Sequence, residues 1–184
     1  MIAVLGIDEI HAAANRIRAF VRRTPLISAS PAREHSELAR RLLLKLESLQ
    51  VTGSFKARGA VNAVLGLPAE RLRHGIVTAS GGNHGLAVAC GGRAAGAPAT
   101  IFLPRSVVPD KLAKFAEWGA RLVISGEVWD DSNQAALQCA AADGLAYIHP
   151  FADPAVVAVK RRSGSKSSNR TRVSTRYWSR SAAV

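Results

Sequence analysis

Four short apolar runs punctuate the chain from residue 76 onward, at residues 76–79, 99–103, 121–125 and 146–149. Their length suits buried strands. Between them the apolar spacing becomes helical, over residues 86–95, 110–118 and 132–142. Strand–helix alternation of this kind predicts an α/β fold, a parallel sheet with helices on both faces. In such sheets ligands gather at the carboxyl ends of the strands. Further upstream, Ile7, Ile10, Ile17, Phe20 and Val21 predict a helix over 7–21 with one buried stripe. It stops before Pro25, because the residue preceding a proline disfavours the helical region. Residues 31–41 read as a loop and a short helix, and 42–47 as a strand. A helical pattern follows at Ala57, Ala60, Val61, Val64 and Leu65. Gly66, Gly96, Gly119 and Gly144 each fall just past a predicted helix, where a left-handed residue is expected. Pro109 suits a first helical turn, and Asp130 or Asp131 suits a cap.

Two turns carry candidate chemistry. The first is Thr52-Gly53-Ser54-Phe55-Lys56, between the 42–47 strand and the Ala57 helix. Gly53 permits a tight turn and Ser54 is a plausible N-cap. Lys56 then sits in the first helical turn, a setting that favours an amine nucleophile. The plainer reading is an exposed helix lysine. The second turn, Ser80-Gly81-Gly82-Asn83-His84-Gly85, joins the 76–79 strand to a small-residue helix. Strand, glycine turn and helix N-terminus make a cradle for an anion. Taken singly, Phe55 reads as a core aromatic, Asn83 as a loop or capping asparagine and His84 as a surface or capping histidine.

Taken together, the Lys56 and Asn83 turns resemble the fold-type II pyridoxal-phosphate enzymes, most closely the threonine/serine dehydratases. Thr24-Pro25-Leu26, Lys45-Leu46-Glu47 and Gln50 belong to the same ordered set, and the resemblance covers residues 24–157. It implies pyridoxal 5'-phosphate held on Lys56, with Phe55 against its ring and Asn83 donating to its phenolic oxygen. It implies a substrate-carboxylate loop of Ser80, Gly81, Gly82, Asn83 and His84. The implied activity is loss of water from L-threonine or L-serine, giving a 2-oxo acid and ammonia. Gly81 departs from the serine racemases of this fold, which carry a serine there to reprotonate the opposite face. Ala57 and His84 separate the pattern from the β-replacement synthases. By the same resemblance, residues 1–48 begin a larger domain, 49–150 form a smaller α/β domain, and 151–184 are a remainder that does not continue the family pattern. The expected glycine-rich phosphate loop, pyridine-nitrogen partner and cation site are not found there. The change at about residue 158 reads as a shifted frame or a truncated gene, which would leave this chain an inactive fragment.

The net charge of +12 adds little to this picture. All 13 acidic residues lie at or before Asp153, and eight of the 25 basic residues lie from Lys160 onward with no acid among them. Arg, Lys and Ser dominate that tail, whose composition is that of a disordered segment. A basic tail also suits nucleic acid, but it carries no stacking motif, and no nucleic-acid partner is expected. Two cysteines match no metal spacing, so no metal is assigned and a reduced, cytoplasmic setting is expected. No apolar run is long enough to span a membrane. The partners implied are a small amino acid and, for a complete chain, further copies of itself.

Overall fold

The computed structural model describes residues 6–28 and 43–150. In chain order these form α1 (Ile7–Ile17), β1 (Leu26–Ser28), β2 (Leu43–Lys45), a 3-10 turn at Glu47–Leu49, α2 (Lys56–Leu65), α3 (Ala69–His74), β3 (Ile76–Ala79), α4 (Asn83–Ala95), β4 (Ala99–Leu103), α5 (Pro109–Glu117), β5 (Arg121–Ile124), α6 (Trp129–Asp143) and β6 (Ala146–Tyr147).

The apolar runs form one parallel sheet in the order β5-β4-β3-β6. Every residue of β3 is buried, as suits a central strand covered on both faces. Ile76 to Ala79 pair with Ala99 to Phe102, and Thr100 to Leu103 pair with Arg121 to Ile124. The chain steps from β3 through β4 to β5, then returns past its starting point to β6. Right-handed crossovers therefore put α4 and α5 on one face and α6 on the other. The packing agrees with that handedness. Ala87 and Val88 of α4 and Phe115 of α5 meet Ile76, Ile101 and Leu103, joined by Ala60, Ala63 and Val64 of α2. Ala136 of α6 meets Val77, Ala79 and Phe102 on the opposite face. The α/β class with helices on both faces is as the alternation predicts. No helix among the described residues is long and apolar enough to cross a membrane.

Several expectations change. The first helix ends at Ile17 rather than Val21, and its buried stripe is Ile10, Ala13, Ala14 and Ile17. Ile7 and Phe20 are exposed. The Phe20 and Val21 N–H groups still turn back on the Ile17 carbonyl, and the next residue is held from far along the chain: the Gln50 amide accepts from the Arg22 backbone N–H at 2.7 Å and donates to its carbonyl at 3.0 Å. The 42–47 run is a strand only from Leu43 to Lys45, and it lies outside the parallel sheet. It pairs antiparallel with β1, a strand the sequence did not suggest. The expected 31–41 loop and helix lies outside the described residues. Gly96, Gly119 and Gly144 are left-handed as expected, but Gly66 has φ −85°. Its N–H bonds back to Asn62 and the Leu67 N–H to Val64, so the chain keeps winding right-handed there. The α3 helix is also new.

Candidate active site

A sheet ordered β5-β4-β3-β6 has its topological switch between β3 and β6, and a crevice opens at the carboxyl ends of those two strands. The pairing shows where it opens. The β3–β6 register runs only through Ile76↔Ala146 and Val77↔Tyr147. A last backbone bond, Ile148 N–H to the Val77 carbonyl at 2.9 Å, ends the ladder. Beyond it the contacts between the two strands pass from backbone to side chains. One lip of the crevice is Ser80 to His84, and the other is Ile148 to Pro150.

Lys56 approaches the second lip. It is the first residue of α2, half-buried, and its Nζ donates to the Pro150 carbonyl at 3.2 Å. The Phe55 ring centroid is 5.7 Å from that nitrogen. The turn before it has Gly53 at φ 73° and closes with the Gly53 N–H on the Gln50 carbonyl at 2.8 Å. The Ser54 hydroxyl lies 3.4 Å from the Lys56 N–H, a long contact two residues on rather than a full N-cap.

The first lip is built on glycines. A Cβ on Gly85 would lie 2.2 Å from the Ser80 carbonyl oxygen and 2.9 Å from Phe115 Cε1, so only glycine lets the loop fold this tightly over α5. A Cβ on Gly82 would meet nothing within 4 Å, whereas one on Gly81 would lie 3.1 Å from Val107 Cγ2. Ser80 Oγ accepts from the Gly82 N–H at 3.3 Å. Helix α4 starts at Asn83, earlier than its apolar spacing indicates, with Gly82 as N-cap and no side-chain cap. The first N–H groups of a helix have no intrahelical acceptor. At α6 Asp131 accepts from the backbone N–H groups of Glu127 and Val128 at 3.0 and 3.3 Å, just ahead of that helix, and its first turn likewise has no side-chain cap. The uncapped α4 end remains open to an external anion.

Asn83 is exposed at this mouth, and Ser80, Gly81 and Gly82 are half-buried. The His84 side chain instead bridges the two lips. His84 is buried, and its Nε2 lies 3.1 Å from the Ile148 carbonyl, a geometry that requires the proton on Nε2 because a carbonyl only accepts. His84 is therefore neither a surface nor a capping histidine. Two residues escaped the sequence reading. Thr78, fully buried, donates its hydroxyl to the same Ile148 carbonyl at 2.8 Å. Trp129 of α6 donates its indole N–H to the Ala79 carbonyl at 2.9 Å, holding the β3 exit from the other face. A strand threonine and a helix-start tryptophan carry no local signal for such roles.

Behind α2 lies a polar cluster. Arg58 clamps the Glu47 carboxylate with Nε on Oε2 and Nη2 on Oε1, both at 2.8 Å. The Thr24 hydroxyl donates to Glu47 Oε1 at 2.6 Å, and Lys45 Nζ reaches both the carbonyl and the hydroxyl of Thr24. Burial pushes the Glu47 carboxyl up, but the bonds from Arg58 and Thr24 and the charges of Arg58 and Lys45 outweigh it. The group sits below the ordinary carboxylate range. Thr24, Lys45, Glu47 and Gln50, four of the residues that carried the resemblance, are thus parts of a scaffold under the Lys56 turn. Among the described residues no cluster of three or more His, Cys, Asp or Glu could hold a metal.

Known proteins are similar to this chain in sequence and in fold. Residues 17–165 match the family model described as pyridoxal-phosphate dependent enzyme. An L-threonine ammonia-lyase of Geobacter sulfurreducens is 40% identical over 149 residues, covering 81% of this chain but 37% of that protein. The structure of maize serine racemase superimposes with a TM-score of 0.80 at 29% identity, over 88% of this chain and 49% of that one. Threonine deaminase isoform 2 from Solanum lycopersicum gives a TM-score of 0.73 at 32% identity, over 88% of this chain and 48% of that one. The chain thus spans half or less of the length of these relatives. With the family model covering most of its residues, and a lysine helix facing a glycine turn across the β3–β6 crevice, the chain belongs to the pyridoxal-phosphate dependent enzyme family.

Proposed function

We propose that this chain carries one wall of a lyase site that removes water and ammonia from L-threonine or L-serine, with Lys56 as its catalytic residue. The observation that carries the reading is the placement of Lys56 Nζ on the β6 lip, 3.2 Å from the Pro150 carbonyl. The uncapped α4 N-terminus lies across the same switch point. These residues fit pyridoxal phosphate, since a half-buried primary amine stands beside an aromatic ring, next to an open anion-binding turn. Bound there, the cofactor supplies an aldehyde for amino groups and a ring that accepts electron density from the substrate Cα. Lys56 Nζ would hold it and would serve as the base for the Cα proton. Phe55 would pack against the ring, and the Asn83 amide would donate to the ring oxygen. The N–H groups at the start of α4 and the Ser80 hydroxyl hold the substrate carboxylate.

Gly81 favours elimination over racemisation, because glycine offers no hydroxyl to return a proton to the opposite face. Val107 crowds that position as well, since a Cβ there would lie 3.1 Å from its Cγ2. The racemase reading has the maize neighbour in its favour. Turnover is proposed for a chain of the relatives' length, and the 184 residues alone are expected to release no measurable 2-oxobutanoate from L-threonine.

The test is borohydride reduction of the chain with pyridoxal phosphate, followed by peptide mass mapping. The pyridoxyl group is expected on Lys56, and its appearance mainly on another lysine would refute the assignment. In a chain extended to the relatives' length, L-serine giving D-serine in preference to pyruvate would favour the racemase reading.

A further inference from the structure

We infer that Thr78 is a positioning residue for Lys56, acting through the Ile148–Pro150 lip; this rests on the reading of Lys56 as the catalytic amine. A fully buried hydroxyl in a central strand must find a partner. Thr78 finds it at the Ile148 carbonyl, 2.8 Å away, at the point where the β3–β6 ladder ends. His84 joins the same oxygen from α4 at 3.1 Å. The Ile148 N–H is already bonded to Val77. Ile148 is therefore held on both its backbone groups, the last such point before the crevice. Two residues on, the Pro150 carbonyl receives Lys56 Nζ. A proline at 150 fixes its own φ and holds His149 to extended backbone, which narrows the freedom between the clamp and the acceptor. The Thr78 hydroxyl thus replaces a ladder bond at the place where a ladder bond would have closed the crevice. It fixes the lip while leaving the mouth open, and the position of the lip sets that of the amine.

The test needs no cofactor. Wild type, Thr78→Val, Thr78→Ala and Thr78→Ser chains are treated with limiting acetic anhydride, and acetylation of each lysine is followed by peptide mass spectrometry. Lys45 is the internal control, since it is held by Thr24 on the far side of α2. Loss of the hydroxyl should raise Lys56 acetylation about fivefold, the worth of one net side-chain hydrogen bond, with Lys45 unchanged. Thr78→Ser should restore the wild-type rate. Equal rates at Lys56 in wild type, Val and Ala chains would overturn the proposal. So would a parallel rise at Lys45, or failure of both the Val and Ala chains to fold, since either gives Thr78 a general core role. Pyridoxyl labelling of wild type separates the two readings. A label away from Lys56 sinks the catalytic assignment while leaving the acetylation result standing.

Discussion

Replacing Glu47 with glutamine should cost the fold about 2–3 kcal/mol at neutral pH. The carboxylate is a sink for donors. Oε1 takes the Thr24 hydroxyl at 2.6 Å and Arg58 Nη2 at 2.8 Å, and Oε2 takes Arg58 Nε at 2.8 Å. A glutamine has one oxygen, so its NH2 must face either Arg58 Nε or the Thr24–Arg58 pair, donor against donor. One charge-assisted bond of about 1.5–3 kcal/mol is lost, and the guanidinium keeps its burial without a full counter-charge. The Arg58 and Glu47 side chains are 16% and 14% exposed, which holds the penalty below that of a fully buried pair. The pH dependence has a definite sign. The Glu47 carboxyl is depressed in the fold, so its contribution is complete above the unfolded-state value and is lost as pH falls through the lower folded-state value. The wild-type advantage over Glu47→Gln should therefore be full at pH 7 and shrink below about pH 4. Urea unfolding of both chains at pH 7 and pH 3 measures it. A variant within 0.5 kcal/mol of wild type at pH 7 (about the scatter for a neutral surface change), or a difference that does not shrink at pH 3, would refute the reasoning.

Two further outcomes follow from buried geometry. Gly85→Ala should destabilise by about 3 kcal/mol and weaken pyridoxyl labelling of Lys56, because its Cβ has no room beside the Ser80 carbonyl; a urea midpoint equal to wild type would show that the loop yields. Cys90 is 4% exposed and burial pushes its thiol up to about 11, partly offset by the Arg93 charge. Its thiolate fraction at pH 8 is then on the order of one in a thousand, and a thiol reagent should reach it only on unfolding; modification of Cys90 in folded chain as fast as of a free thiol would count against this packing.

What the sequence disclosed was local. The β3 and β4 runs are apolar at nearly every position and bounded by Gly75, Ser80, Pro98 and Pro104, so burial on both faces is written into the residues themselves. The two turns are equally local, each a glycine turn ahead of a helix. What was not legible depends on residues far away in the chain. The segment after α1 is held by Gln50, 28 positions beyond Arg22. The burial of His84 depends on Ile148, 64 positions on. Strand β1 is three residues long and exposed throughout, so it has no alternation to read and is defined by its pairing with β2. Gly66 misled because a glycine after a helix is read as a left-handed stop. Its neighbours instead continue a right-handed turn, and a Cβ there would lie 3.1 Å from the Asn62 carbonyl.

The first turn of α2 explains why scaffold and site are hard to separate here. Helical residues advance 100° each, so Lys56 and Arg58, two apart, point to nearly opposite sides. Arg58 reaches back to Glu47 and the Arg22 carbonyl, while Lys56 reaches toward Pro150 at the sheet edge. Between them Ala57 is fully buried, and Ala60 and Val64 come next on the buried face. There α2 meets α4 at close range, since a Cβ on Gly91 would lie 3.0 Å from Val64 Cγ2 and 3.5 Å from the Ala60 carbonyl. Both helices start at the carboxyl edge of the sheet. Helix α2 leads away from it to α3 and the start of β3, and α4 leads away to the start of β4. Their N-termini therefore share one edge, and their dipoles add there. The small residues that let α2 and α4 approach so closely bring the amine of one helix and the open N–H groups of the other to a common mouth. The Glu47 clamp then keeps α2 from sliding along that smooth contact. On this account the lysine owes its place to a part-buried ion pair behind it as much as to the turn that precedes it.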